Sequence, residues 1–303
     1  IIEWGIHDPR ILNNYAAILN QEGNVVKAKN LYEESINLFP NRPEAYSNLG
    51  SLLREMDKKQ EAAVLQKKAI LINPNIPEFH FNLSKTLIEL NDLKKAEDCL
   101  YKAIELKPNF ANAHSNLGII LKRKGNLKEA EKYIKKSIDL NPNLIDSYIN
   151  LGTIMIENLN FKEAEKYILK AIELNPSLAI SYYNLGAIYS NIGKTIEAKD
   201  SFIKALEIDP KYTIAAWNLY GLAHSFEEAE MWLNKCIEID QNYIDAKISI
   251  SAIKLHQGDK ILFNSLMETK SKEHILMRSI KWVTTLPKIP KLFFNKLDFY
   301  DYA

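Results

Sequence analysis

Seven asparagines share one spacing: Asn14, Asn48, Asn82, Asn116, Asn150, Asn184 and Asn218 each follow the last by 34 residues. A carboxamide carries one acceptor oxygen and two N–H donors, so it can bond both the C=O and the N–H of a peptide backbone. A column of such amides can grip an extended chain without reading its side chains. Each bond contributes about 0.5–1.5 kcal/mol net, and several together reach roughly micromolar affinity after ordering costs. Specificity then falls to the neighbours. One residue before the asparagines lie Asn13, Ser47, Phe81, Ser115, Ile149, Tyr183 and Trp217. Three residues after them lie Ala17, Ser51, Lys85, Ile119, Thr153, Ala187 and Gly221. Ile149, Tyr183 and Trp217 predict an apolar anchor pocket. Arg54, Lys85, Lys122 and Arg123 add positive charge, which Glu55, Glu89 and Glu157 offset. The expected peptide-binding set is thus the seven asparagines with Phe81, Ile149, Tyr183, Trp217, Lys85, Lys122 and Arg123.

Other residues suited to chemistry lack company. His80 and His114 sit 34 apart with no carboxylate or thiol in register, so a packing role is expected and no metal site. Cys99 and Cys236 match no ligand spacing and read as small buried apolar residues. His274 lies in a polar stretch and reads as solvated. The chain holds no glycine-rich phosphate loop, no HExxH and no GxSxG, so no catalytic residue and no cofactor is expected. The Lys-Glu-Ala-Glu-Lys runs at 128–132 and 162–166 read as solvated helix faces.

The elements that must position the amides follow the same ruler. Pro40, Pro74, Pro108, Pro142, Pro176 and Pro210 step by 34, as do Ala28, Ala62, Ala96, Ala130, Ala164 and Ala198. A third series holds Gly50, Gly118, Gly152 and Gly186, with Ala16 and Ser84 in the two remaining places. Within 111–144, Leu117, Ile120 and Leu121, then Ile134 and Ile138, fall at helical spacings. Each unit therefore predicts two helices. Between them stands a residue able to take positive φ, at Gly23, Asp57, Asn91, Gly125 and Gly193, with Leu159 breaking the series. The second helix stops before the proline. Each asparagine sits two residues before the small place, about 200° around the first helix from it. That predicts an inner wall rather than the seam of the hairpin.

Tyr46-x-x-Leu49-Gly50 with Ala62, Ala69 and Pro74 resembles the tetratricopeptide signature. So does Tyr182-x-x-Leu185-Gly186-x-x-Tyr189 with Ala198, Phe202, Ala205 and Pro210. The resemblance implies an all-α, right-handed superhelical solenoid of antiparallel helix hairpins, its concave wall made by the first helix of each pair. The expected units are 9–42, 43–76, 77–110, 111–144, 145–178, 179–212 and a weaker 213–243, then a degenerate terminal unit at 244–270. Residues 1–8 read as the end of a preceding element or an N-terminal cap. The seventh unit is three residues short, Tyr220 takes the small place and Gln241 the proline place, so distorted stacking is expected there. The tail 271–303, interrupted by Pro287 and Pro290 and rich in aromatic residues, reads as a cap or a junction into a further domain. Its segment from Leu286 resembles lead-ins to methyltransferase-like domains. The asparagine column resembles the ladder in the tetratricopeptide region of O-linked N-acetylglucosamine transferases. An alternative use of the same asparagines is bonding between neighbouring repeats.

Bulk composition narrows the function. Lys and Arg number 39 against 38 Asp and Glu, so the basic excess of a nucleic-acid binder is missing. Two cysteines make no disulfide framework, which suggests a cytoplasmic, reducing compartment. No apolar run is long enough to span a membrane and the start carries no signal-peptide pattern. The absence of an initiator Met suggests a fragment or processed form. The expected role is a protein-interaction scaffold holding an extended peptide or partner helix. The second expectation is the substrate-recruiting arm of a larger glycosyltransferase or methyltransferase. End-to-end self-association is a third.

Overall fold

The computed structural model describes residues 8–257. In chain order its helices are α1 (Pro9–Gln21), α2 (Val25–Leu38), α3 (Pro43–Glu55), α4 (Lys59–Ile72), α5 (Pro77–Glu89), α6 (Leu93–Leu106), α7 (Ala111–Arg123) and α8 (Leu127–Leu140). They continue as α9 (Ile145–Glu157), α10 (Phe161–Leu174), α11 (Ala179–Asn191), α12 (Thr195–Ile208), α13 (Thr213–Gly221), α14 (Phe226–Ile239) and α15 (Ile244–His256). Among the described residues there is no strand. Odd-numbered helices are the first of each pair (A) and even-numbered the second (B). The expectations for 1–7, for 258–270 and for the aromatic tail, His274 included, lie outside the described residues. The chain divides into two compact units between Ile154 and Met155, inside α9.

Local chemistry sets the helix ends. Each B helix stops two residues before the proline place, and the intervening Asn or Asp folds the connection. Asn73, Asn141, Asn175, Asp209 and Asp240 each accept the N–H two residues on through their side-chain oxygens, at 2.8–3.1 Å. Asp92, Asn126 and Asn160 cap the following B helices in the same way. The A-to-B turn needs one left-handed residue, supplied by Gly23, Gly125 and Gly193 and by Asp57 and Asn91. Leu159, expected to break this series, joins it with φ 57°. Its turn carries the same bonds as the glycine turns: Leu159 N–H to Ile156 O, and Asn160 N–H to Met155 O. The closing hydrogen bonds thus override a residue preference of about 1–2 kcal/mol.

In the first unit α1 packs on α2, α3 on α4, α5 on α6 and α7 on α8. Each B helix then packs on the next A helix, and the A helices α1, α3 and α5 touch in succession. Close approach depends on the small place. A Cβ on Gly50 would meet Gln66 Cγ at 2.6 Å, and one on Gly118 would strike Ile134. The core is apolar, as in the cluster of Leu19, Tyr32, Leu49 and Leu53, with two polar exceptions. Gln66, fully buried, accepts from Thr86 Oγ1 at 2.7 Å between α4 and α5. Ser137 Oγ lies 2.7 Å from Ile134 O and 2.7 Å from Ser147 Oγ, which lies 3.0 Å from Ser115 Oγ.

The second unit repeats the scheme with α11 on α12, α13 on α14, and α10, α12 and α14 each on the next A helix. A Cβ on Gly186 would meet Phe202 Cδ1 at 2.7 Å. The seventh hairpin departs as its sequence foretells. α13 has 9 residues against 13 in α11, while its connection to α14 is one residue longer, which accounts for the three-residue deletion. Ser225 caps α14 through Glu228 N–H, and Glu228 in turn accepts His224 N–H at 2.8 Å and pairs with Lys199 at 2.6 Å.

Candidate functional site

The A-helix wall of the first unit carries the asparagines in accessible form. Asn14 is exposed, and Asn48, Asn82, Asn116 and Asn150 are half-buried. Asn82 Nδ2 donates to Ser47 Oγ on the preceding A helix at 3.1 Å, so this amide serves a neighbouring repeat with one of its three bonding positions. Lys85, half-buried, stands 5.9 Å from the Phe81 ring centroid. Burial lowers its pKa, and the nearby Arg54 charge lowers it further, against Glu55 and Glu89. Arg54 donates to Glu89 at 2.7 Å, and Asn20 Nδ2 reaches Glu55 at 3.4 Å. Lys122 donates to Thr153 Oγ1 at 2.9 Å, while Arg123 is exposed at the end of α7. The wall is therefore laced by polar contacts running between successive A helices. Two of them, Asn20–Glu55 and Arg54–Glu89, join residues 35 apart, a spacing visible in the sequence.

The second unit treats the same register differently. Asn184 and Asn218 are buried. Asn218 Nδ2 bonds back to Ile214 O at 2.8 Å within its own helix, and Asn184 Nδ2 has no hydrogen-bond partner among the described residues. A single uniform column of solvent-facing amides is thus not present.

The expected anchor pocket needs the same correction. Ile149 and Tyr183 are buried and Trp217 is half-buried. The place before each asparagine faces the joint between repeats, not the wall. Its ring meets the aromatic residue that precedes the next A helix: Phe81 with Phe110 at 4.8 Å, Tyr183 with Tyr212 at 5.4 Å, Trp217 with Tyr243 at 5.5 Å. The first two pairs are 29 residues apart and the third 26, matching the three-residue deletion. That aromatic spacing was the signal available to find the joint.

The remaining candidates have structural positions. His80 Nε2 lies 2.8 Å from Pro74 O and His114 Nε2 2.9 Å from Pro108 O, as Tyr46 OH lies 3.2 Å from Pro40 O. A carbonyl accepts only, so each imidazole carries its proton on Nε2 there. Burial, with Asp98 nearby, pushes the Cys99 thiol up to about 11, and burial pushes Cys236 up to about 12. Both thiols stay protonated at neutral pH and are poor nucleophiles. Among the described residues no group of three or more His, Cys, Asp and Glu is placed to hold a metal ion, and no helix is long and apolar enough to cross a membrane.

The tetratricopeptide repeat profiles match 43–76, 111–144, 145–178 and 179–212, and a TPR repeat profile matches 85–125. These matches cover more than half of the chain, in the register that the helices show. The chain belongs to the tetratricopeptide repeat family. Two solved structures share the fold of this tetratricopeptide array. PilF of Pseudomonas aeruginosa is 17% identical, with a TM-score of 0.60 over 67% of this chain and 92% of its own. Cut9, in the APC/C hetero-tetramer Cut9-Hcn1, is 16% identical, with a TM-score of 0.64 over 90% of this chain and 55% of that one. No curated protein matches the chain. The array is thus an all-α tetratricopeptide solenoid in which hairpins present A helices side by side.

Proposed function

We propose that the array is a protein-interaction scaffold and that the A-helix wall of its first unit holds an extended peptide or a partner helix. The observation that carries this reading is the accessible amide set Asn48, Asn82 and Asn116 on α3, α5 and α7, one per helix. Even Asn82, which bonds Ser47, keeps its carbonyl oxygen and one N–H for a ligand backbone. Lys85 beside Phe81 adds an amphipathic contact suited to an apolar side chain next to a ligand acceptor. Asn184 and Asn218 are left out of the gripping set because they are buried.

Peptides selected from a displayed random library on the whole chain test the reading. Replacing Asn48, Asn82 and Asn116 together by Ala should lower the affinity of a selected extended peptide about tenfold or more, at unchanged helicity. Unchanged affinity would place the ligand elsewhere. Loss of helicity would make the amides structural.

A further inference from the structure

In the first hairpin, three apolar side chains on one face of α1 stand in the open. Ile11, Tyr15 and Ile18, spaced i, i+4 and i+7, are 41%, 38% and 50% exposed. Their spacing puts them on one stripe of the helix. The repeat register gives each of them a counterpart in every later hairpin. At the Tyr15 place stand Leu49, Leu83, Leu117, Leu151, Leu185 and Leu219, and all are 0–7% exposed. The Ile11 and Ile18 places behave alike, with Ala45 and Leu52 in the second hairpin and Ala113 and Ile120 in the fourth buried.

The later joints show what covers such a stripe. It is the B helix of the preceding hairpin, presenting a small residue followed by a branched aliphatic one: Ala69-Ile70, Ala103-Ile104, Ala171-Ile172, Ala205-Leu206. Ala69 shares a buried cluster with Phe79 of the next A helix, and Cys236 shares one with Ala246. At the fourth joint the contact is a bond, Ser137 to Ser147.

We propose that the open stripe of α1 is an end-on docking site for a helix of that kind, carried by a partner polypeptide. A second copy of this chain is a poor donor. Among the described residues every B helix, from α2 to α14, already engages the A helix that follows it. The occupant is therefore an amphipathic helix with a small residue before a branched aliphatic, laid across Ile11, Tyr15 and Ile18. This site is separate from the amide wall and does not depend on it.

The probe is a fluorescent, helix-stapled peptide with the sequence of residues 161–176, titrated onto the whole chain. Saturable binding is expected, weakened at least tenfold by Ile18→Glu and, as a second variant, by Tyr15→Lys. The triple Asn48, Asn82, Asn116 to Ala variant should bind the peptide as wild type does, which separates this site from the wall. A peptide carrying Ile172→Glu should not bind. Circular dichroism on the variants confirms folding; Ile18 and Tyr15 are partly exposed, so both substitutions are expected to fold. Failure of the wild type to bind, or equal binding by Ile18→Glu, overturns the proposal. So does sedimentation showing a wild-type dimer that Ile18→Glu dissociates, because the stripe then closes on a second copy.

Discussion

The second to fourth hairpins and the seventh use one register for two ends. On α3, α5 and α7 the small place is Gly or Ser, and the asparagine two residues earlier is half-buried. On α13 the small place is Tyr220, which stacks on Trp217 at 5.1 Å, and Asn218 is sealed and bonded to its own helix. A glycine at the small place lets B press against A along a 13-residue helix. A ring there goes with a helix of 9 residues and an aromatic joint. The difference teaches that an asparagine in register is not by itself a ligand group. Its neighbours decide whether its amide is open or consumed.

The sharpest way to break this contrast is Gly118→Val. The new Cβ strikes Ile134 and lies 3.1 Å from Ala130 O, and backbone cannot yield as a side-chain tip can. A loss of about 3 kcal/mol is expected in urea denaturation, and a neutral result would remove the close-contact argument. Next comes Trp217→Ala, which strips the joint of its contacts to Tyr220 and Tyr243. About 2 kcal/mol should be lost, below the range for a fully buried ring because Trp217 is half-buried. At the matching place in the second hairpin, Ser47→Ala removes only the acceptor for Asn82, and should cost about 1 kcal/mol. Equal losses at the two places would show that the joints are built alike. The smallest effect is a gain. Leu159 is 68% exposed in the left-handed region, so Leu159→Gly should add about 0.5–1 kcal/mol, read as a higher urea midpoint. A loss would mean that the leucine side chain contributes packing.

The hairpin array was legible because many positions agree. Proline, alanine and glycine series mark helix ends and close contacts, and each reports a backbone requirement that few residues meet. The turn at Leu159 was not legible, since the closing hydrogen bonds, not the residue, hold its φ. The wall was half legible. Helix geometry put Asn48, Asn82 and Asn116 on accessible backbone, but one helical wheel knows nothing of the next repeat. Tyr183 and Trp217 were read as groove residues because their partners, Tyr212 and Tyr243, lie a full repeat step away, before the following A helix. Reading pairs across the repeat, at 29 and 35 residues, would have assigned them to joints and ion pairs.

The buried serines of the first unit have a consequence of their own. A carbonyl cannot give a hydrogen, and each hydroxyl has one to give. If all three contacts are bonded, Ser137 must point to Ile134 O, Ser147 to Ser137, and Ser115 to Ser147. The dipoles then align head to tail from one helical pair into the next, with polarity set by a single main-chain oxygen. Removing the first member frees nothing downstream, whereas removing Ser137 strands the hydrogen of Ser147 in a dry interior. The order of these residues along that row, more than their depth, decides which of them the fold can spare.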